Sequence, residues 1–191
     1  MPDRTATDAP QLTVSVKELS RRPGTSRELS ITFPAPPGLG TAVIGVPEGE
    51  TVWLDLLVES VLEGVLATGT VTARAQGECV RCLGEVNLPL DVTFQELFVY
   101  PERADAAREA GDTSDGEDRR EVVDDKLDLN TAVRDGIVLA LPFGPVCRDD
   151  CPGLCAECGE RLEDDPEHYH VQTDPRWAVL EDLLEDEREE A

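Results

Sequence analysis

Apolar and polar residues alternate through much of the first hundred positions, and a period of two predicts strands. "LTVSV" (12–16), "RELSITF" (27–33) and "TAVIGV" (41–46) are short runs of this kind, divided by connections rich in Pro and Gly. Two longer runs follow, "TVWLDLLVESV" (51–61) and "GVLATGTVTARAQ" (64–76), which meet near Glu63 and Gly64 in a predicted hairpin turn. In the second run Val65, Ala67, Gly69, Val71, Ala73 and Ala75 share one face, while Thr68, Thr70, Thr72 and Arg74 share the other. That is the pattern of a half-buried antiparallel strand. "EVNLPLDVTFQELFVY" (85–100) supplies one more, and Pro89 within it predicts an edge position or a bulge, since proline brings no N–H to the ladder.

The period changes beyond residue 100. Residues 101–126 lack apolar periodicity and are rich in charge, Gly and Ser, the composition of a mobile acidic linker or loop. "DLNTAVRDGIVLALP" then carries a helix pattern: Leu129, Val133, Ile137 and Leu141 recur every four residues, Asp128 or Asn130 caps the start, and Pro142 ends it. A second helix is predicted in "DPRWAVLEDLLEDE", with Asp174 as N-cap, Pro175 at the first position, and Trp177, Leu180 and Leu184 on one face. The expectation is an α+β protein: an antiparallel sheet, strongly curved or barrel-like, then two helices flanking a Cys/His-rich loop. Its expected divisions are a β-rich domain over 1–100, an acidic linker over 101–126 and a helical, metal-stapled segment over 127–191.

Charge limits the partners. The chain carries a net −24, and residues 1–100 hold only 13 of the 41 acids against 7 of the 17 bases, so most of the excess lies in the second half. Nucleic-acid affinity comes largely from Lys and Arg displacing counterions, so DNA is not an expected partner and unaided RNA binding is disfavoured. A basic protein is electrostatically welcome. Lys17, Arg21, Arg22 and Arg27 form the only small basic cluster, either an RNA contact or ordinary surface charge near a turn. No run approaches the roughly 20 apolar residues needed to cross a bilayer, and the opening "MPDRTATDAPQLTV" does not resemble a signal peptide. No membrane association is expected, and the expected compartment is the cytoplasm, where thiols stay reduced.

In that compartment paired cysteines point to metal ligands or redox groups. "CRDDCPGLCAECGERLEDDPEHYH" (147–170) holds four of the six cysteines and both histidines. Cys147, Cys151, Cys155 and Cys158 are spaced as C-x3-C-x3-C-x2-C, and His168 and His170 follow within reach of the same centre. Zinc takes four Cys or His donors at tetrahedral vertices, and a short Cys-x2-Cys turn supplies two of them, so zinc is the expected metal. Cys79 and Cys82 form a second pair, in "ECVRCLGE", at the turn between two strands. They could join the distal cluster, take a ligand from a partner, or pack as small apolar residues. A rival zinc ribbon would use Cys79, Cys82, Cys155 and Cys158, one turn on each arm.

Catalytic constellations are absent: there is neither a Gly-rich phosphate loop nor a nucleophilic serine elbow. Glu157 or Glu167 could serve as general base beside a catalytic zinc, in a loop where carboxylates are plentiful. The acidic stretch after "CAECG" disfavours a redox dithiol.

The order of features resembles a known family. "ELSRRPGTSRELS", "CVRCLGEV", "DLNTAVRDGIVLALP", "CRDDCPGLCAECGERL" and "DPRWAVLEDL" follow one another as they do in the YceD family, also called the large ribosomal RNA subunit accumulation protein family. The resemblance spans about residues 12 to 184 without the acidic linker. It implies a non-enzymatic ribosome-assembly factor that promotes accumulation of large-subunit rRNA and leaves direct rRNA contact open. The acidic charge, not the resemblance, points to a ribosomal protein or assembly factor with a basic surface as the partner. Relatives with a Cys-rich tail often carry Cys at the positions of His168 and His170, an exchange that zinc tolerates and a disulfide does not. Other relatives lack the tail cluster. The resemblance therefore implies a structural role for the tail metal and makes Cys79 and Cys82 the better candidates for the shared function. The competing classes are a zinc-dependent or thiol-redox enzyme and a zinc-stabilised interaction module unrelated to the ribosome.

Overall fold

Two fifteen-residue strands, β5 (Gly64–Glu78) and β6 (Glu85–Val99), form the centre of the fold. They pair antiparallel without interruption, from Gly64 opposite Val99 to Glu78 opposite Glu85. The computed structural model describes residues 12–109 and 120–170 of the chain. Before the hairpin come β1 (Thr13–Ser15), β2 (Ser26–Pro34), β3 (Ile44–Gly45) and β4 (Thr51–Ser60). After it come α1 (Pro101–Glu109), β7 (Arg120–Glu121), β8 (Lys126–Asp128) and α2 (Asn130–Ala140). The main sheet runs β2-β4-β5-β6-β7, with β3 attached to β5 and β7 parallel to β6. β1 and β8 make a separate antiparallel pair that joins the start of the chain to the entry of α2.

Alternation decides which face is buried. Val52, Leu54, Leu56 and Val58 of β4 point the same way as Val65, Ala67, Val71, Ala73 and Ala75 of β5, and all are buried. Phe98, Leu90 and Val86 of β6 complete that face through the register Val65–Phe98, Ala73–Leu90 and Gly77–Val86. Burying the Val, Leu and Phe side chains is worth about 1.5–3 kcal/mol each, so this face contributes strongly to stability. Gly69 lies opposite Phe94, and a Cβ there would sit 2.5 Å from the Phe94 ring, so the row keeps a gap where the aromatic side chain folds over the strand.

The predicted α2 stripe belongs to the same core: Leu129, Val133, Ile137 and Leu141 are all buried. The helix packs on β6, with Gly136 close to Val92 and Phe94. Asp128 acts just before its start, where its Oδ1 accepts hydrogen bonds from the Asn130 backbone N–H (3.0 Å) and side-chain amide (2.7 Å). Leu141 leaves the helix in an extended conformation ahead of Pro142.

Two expectations are corrected. The fold is not a balanced α+β arrangement: the described residues are mostly sheet, with α1 and α2 as short additions. Residues 141–170 form the expected loop, held by turns and by the isolated bridge Leu154–Arg161, with Pro142, Pro145 and Pro152 keeping it out of helix. Nor is the sheet a barrel. β2 and β7 stand at opposite ends of the strand order and do not pair, so the sheet is open, with α2 lying on its β6 side. The helix expected from Asp174, with Trp177, Leu180 and Leu184, lies outside the described residues. Of "TAVIGV" only Ile44–Gly45 is strand, and Pro89 sits in a continuous register opposite Arg74 without a bulge. Among the described residues the only strand neighbour along that part of β6 is β5, so Pro89 faces an edge. Within 101–126 the chain forms α1, returns as β7 beside β6, and enters β8 opposite β1.

Candidate metal centres

The β5–β6 turn carries the first cysteine pair. Its backbone closes when the Cys79 N–H donates to the Gly84 carbonyl (2.7 Å) and the Leu83 N–H donates to the Cys79 carbonyl (2.9 Å). Leu83 takes a left-handed φ of 56°. The second Cys-x2-Cys turn repeats this design: the Cys155 N–H donates to the Glu160 carbonyl (2.7 Å), the Gly159 N–H to the Cys155 carbonyl (2.9 Å), and Gly159 has φ 76°. Two segments far apart in sequence thus build the same knuckle, which turns two sulfurs to one side.

The chain after α2 docks on the first knuckle through its backbone. The Val80 N–H donates to the Pro145 carbonyl (2.9 Å) and the Leu154 N–H to the Arg81 carbonyl (3.0 Å). Arg81 Nη1 reaches the carbonyls of Asp149 and Cys151, each at 3.0 Å. Gly153, with φ 84°, lets the chain pass close to the Arg81 carbonyl, which a Cβ would meet at 3.0 Å. This docking brings Cys151 Sγ to 3.9 Å from Cys79 Sγ and Cys147 Sγ to 3.7 Å from Cys82 Sγ. Zn–S bonds of about 2.3 Å at tetrahedral angles would separate sulfurs by about 3.8 Å. The donor set fits zinc.

The eight candidate ligands therefore fall into two groups of four. Cys79, Cys82, Cys147 and Cys151 converge in one, and Cys155, Cys158, His168 and His170 in the other; within each group the donor atoms lie within 4.8 Å of one another. Cys147 and Cys151 join the sheet turn rather than the second knuckle, and the ribbon-like combination of Cys79 and Cys82 with Cys155 and Cys158 is not brought together. All six cysteines are free thiols. In the second group Cys158 Sγ lies 3.2 Å from His168 Nε2 and 3.3 Å from His170 Nε2. The opposite ring nitrogens face carboxylates: His168 Nδ1 is 3.5 Å from Glu160, and His170 Nδ1 is 3.4 Å from Glu157. An imidazole that offers one nitrogen inward and turns the other to a carboxylate is arranged as metal-bound histidines are.

The thiols within each group differ in acidity. Burial raises the Cys79 thiol, but backbone N–H groups of Cys147, Arg81 and Cys82 outweigh it and bring its pKa down to about 6. N–H groups of Cys158 and Glu157 lower Cys155 to about 6. The neighbouring thiols move the other way. Hydrogen bonding to Cys151, then burial, pushes Cys147 up to about 12, and burial raises Cys151. Hydrogen bonding and charge between the clustered thiols oppose their joint ionisation, a repulsion that a divalent cation would relieve.

Other candidate residues have structural partners. Arg21 pairs with Glu102 (3.4 Å) and Asp125 (3.7 Å) and lies over the Tyr100 ring, while Arg27 pairs with Glu18 (3.0 Å), so part of the small basic cluster is already neutralised. Glu157 serves His170, and the Glu167 backbone N–H donates to Asp165 Oδ1 (3.2 Å). Sequence reasoning did not single out Glu160 as a partner of His168, nor the division of ligands. One signal was available for the division: six cysteines and two histidines make two tetrahedral sets.

Residues 67–184, which include both knuckles and α2, match the family described as "Large ribosomal RNA subunit accumulation protein YceD". The chain belongs to the YceD family. An uncharacterized protein of Mycobacterium tuberculosis is similar to this YceD member, 46% identical over 176 residues, covering 92% of this chain and 83% of the relative. An uncharacterized protein of Mycobacterium leprae is 43% identical over 169 residues, covering 88% and 76%. The uncharacterized protein YlbN of Bacillus subtilis is 27% identical over 122 residues, covering 63% and 66%. No solved structure matches. Among the described residues no helix is long and apolar enough to cross a membrane.

Proposed function

We propose that this protein is a non-enzymatic, cytoplasmic ribosome-assembly factor that promotes accumulation of large-subunit rRNA by holding a basic ribosomal protein. The observation that carries this reading is the YceD family match, which covers the sheet hairpin, α2 and the cysteine-rich segment. Charge supports the choice of partner. A chain of net −24 attracts a basic protein and repels a phosphate backbone. The ion pairs of Arg21 and Arg27 further reduce the basic surface open to RNA.

The first knuckle supplies an apolar anchor for such a partner. Val80 and Leu83 are 51% and 63% exposed on its outer side, and Phe143, next to the loop that Val80 touches at Gly144, is fully exposed. Exposed apolar side chains beside a strongly charged surface suit a protein interface. Against a catalytic zinc, each group already offers four protein donors, which leaves no open position for a water or substrate.

Affinity capture of the tagged chain from its own cells, followed by salt elution, tests the proposal. Basic ribosomal proteins retained after nuclease treatment and released by salt are the expected result. Tight binding of rRNA fragments to the purified chain at physiological salt would overturn the protein-partner mechanism. Absence of ribosomal proteins and assembly factors would overturn the role.

A further inference from the structure

We propose that the chain holds two zinc ions of unequal exchange rate: a fixed one in Cys79, Cys82, Cys147 and Cys151, and an exchangeable one in Cys155, Cys158, His168 and His170. This goes beyond the assembly role and does not depend on it. Zinc(II) enters each centre without any change of oxidation state. Thiols that ligate give up their protons to solvent, and the histidines bind through neutral Nε2.

Donor chemistry sets the first difference. Four thiolates carry a charge of −4 around the first ion, and the backbone N–H of Arg81 (3.4 Å from Cys79 Sγ) and the guanidinium of Arg161 (3.6 Å from Cys82 Sγ) donate to two of them and help to balance it. The second set carries two thiolates and two neutral imidazoles. Access sets the second difference. In the first centre Cys79, Cys82 and Cys151 are buried and only Cys147 is exposed, whereas in the second none of the four is buried and Cys158 and His170 are exposed. Topology sets the third. The contacts of the first centre join residues 65 and 72 positions apart, so opening it means lifting the docked segment off the sheet. The second centre closes a local loop in which Cys158 and His168 are 10 residues apart, and a chelator can reach it by local opening.

Glu157 and Glu160 are positioning residues for the second ion. Each faces the Nδ1 of one histidine and thereby favours the tautomer that presents Nε2 to the metal. Their removal should weaken only that centre.

The test uses the purified full chain, loaded with zinc under reducing conditions. Elemental analysis should give two zinc per chain, and a chromophoric chelator should draw them out in two phases of equal amplitude. Cys158→Ser should leave one zinc and abolish the fast phase alone. Glu157→Gln, which keeps every ligand and so guards against misfolding of the cysteine variant, should weaken the fast centre about 10- to 100-fold and leave the slow phase unchanged. Cobalt(II) substitution should show tetrathiolate and mixed sulfur–nitrogen spectra together, the second absent in Cys158→Ser. One zinc per chain, a single release phase, or loss of both ions in Cys158→Ser would overturn the proposal, as would an unchanged fast centre in Glu157→Gln.

Discussion

Cys82 Sγ and Cys147 Sγ lie 3.7 Å apart although 65 residues separate them, because the segment after α2 returns to the turn of the β5–β6 hairpin. A metal at this point would tie the C-terminal segment to the β5–β6 turn at the end of the sheet. Cys82→Ser, or stripping the metal, should therefore lower stability by about 3 kcal/mol or more, a fraction of the ~10 kcal/mol that a structural zinc contributes in isolated fingers. Limited proteolysis should then cut first within 142–170 while the sheet resists. Equal resistance in the native and stripped protein would show that the backbone contacts alone hold the segment.

The row of small residues along β5 leaves room for Phe94 at Gly69. Gly69→Ala places a methyl group against that ring and should cost about 1–3 kcal/mol in urea unfolding, with the midpoint lowered and the slope unchanged.

Leu83 and Gly159 occupy the same place in the two knuckles, yet only one is glycine. An L side chain in the left-handed region costs roughly 1–2 kcal/mol, so Leu83→Gly should raise stability by about 1 kcal/mol in chemical denaturation. If Leu83 also anchors a partner, the same variant should capture less ribosomal protein despite being more stable, which separates interface from fold.

Ile137 is fully buried where α2 meets the sheet. Ile137→Ala should cost about 2–5 kcal/mol by thermal or chemical unfolding. A cost below about 1 kcal/mol would mean that α2 adds little to the common core.

Most of the sheet was legible in the sequence because one face is wet and one is dry. Val65, Ala67, Val71 and Ala73 declare β5 through period two, and Leu129, Val133, Ile137 and Leu141 declare α2 by recurring every four residues. α1 was missed because "PERADAARE" has strong helix formers but almost no apolar stripe beyond Ala104. β7 and β8 are two and three residues long, too short for any period to register. The balance of classes was misjudged because, of the two helices expected, only α2 falls among the described residues, and its eleven residues are few beside the two fifteen-residue strands of the hairpin. The candidate donors could be picked out from the sequence, but their grouping could not. Spacing within 147–170 says nothing about a turn more than sixty residues upstream, and only the β5–β6 register puts Cys79 and Cys82 at the end of the sheet where the returning chain meets them.

The ratio of large- to small-subunit rRNA in cells depleted of the protein tests the assembly role most directly, with complementation by the wild-type chain or by the doubly changed Val80→Asp, Phe143→Asp chain. The account predicts a lowered ratio that the wild type restores and the surface variant, folded and equally abundant, does not. An unchanged ratio on depletion would contradict it.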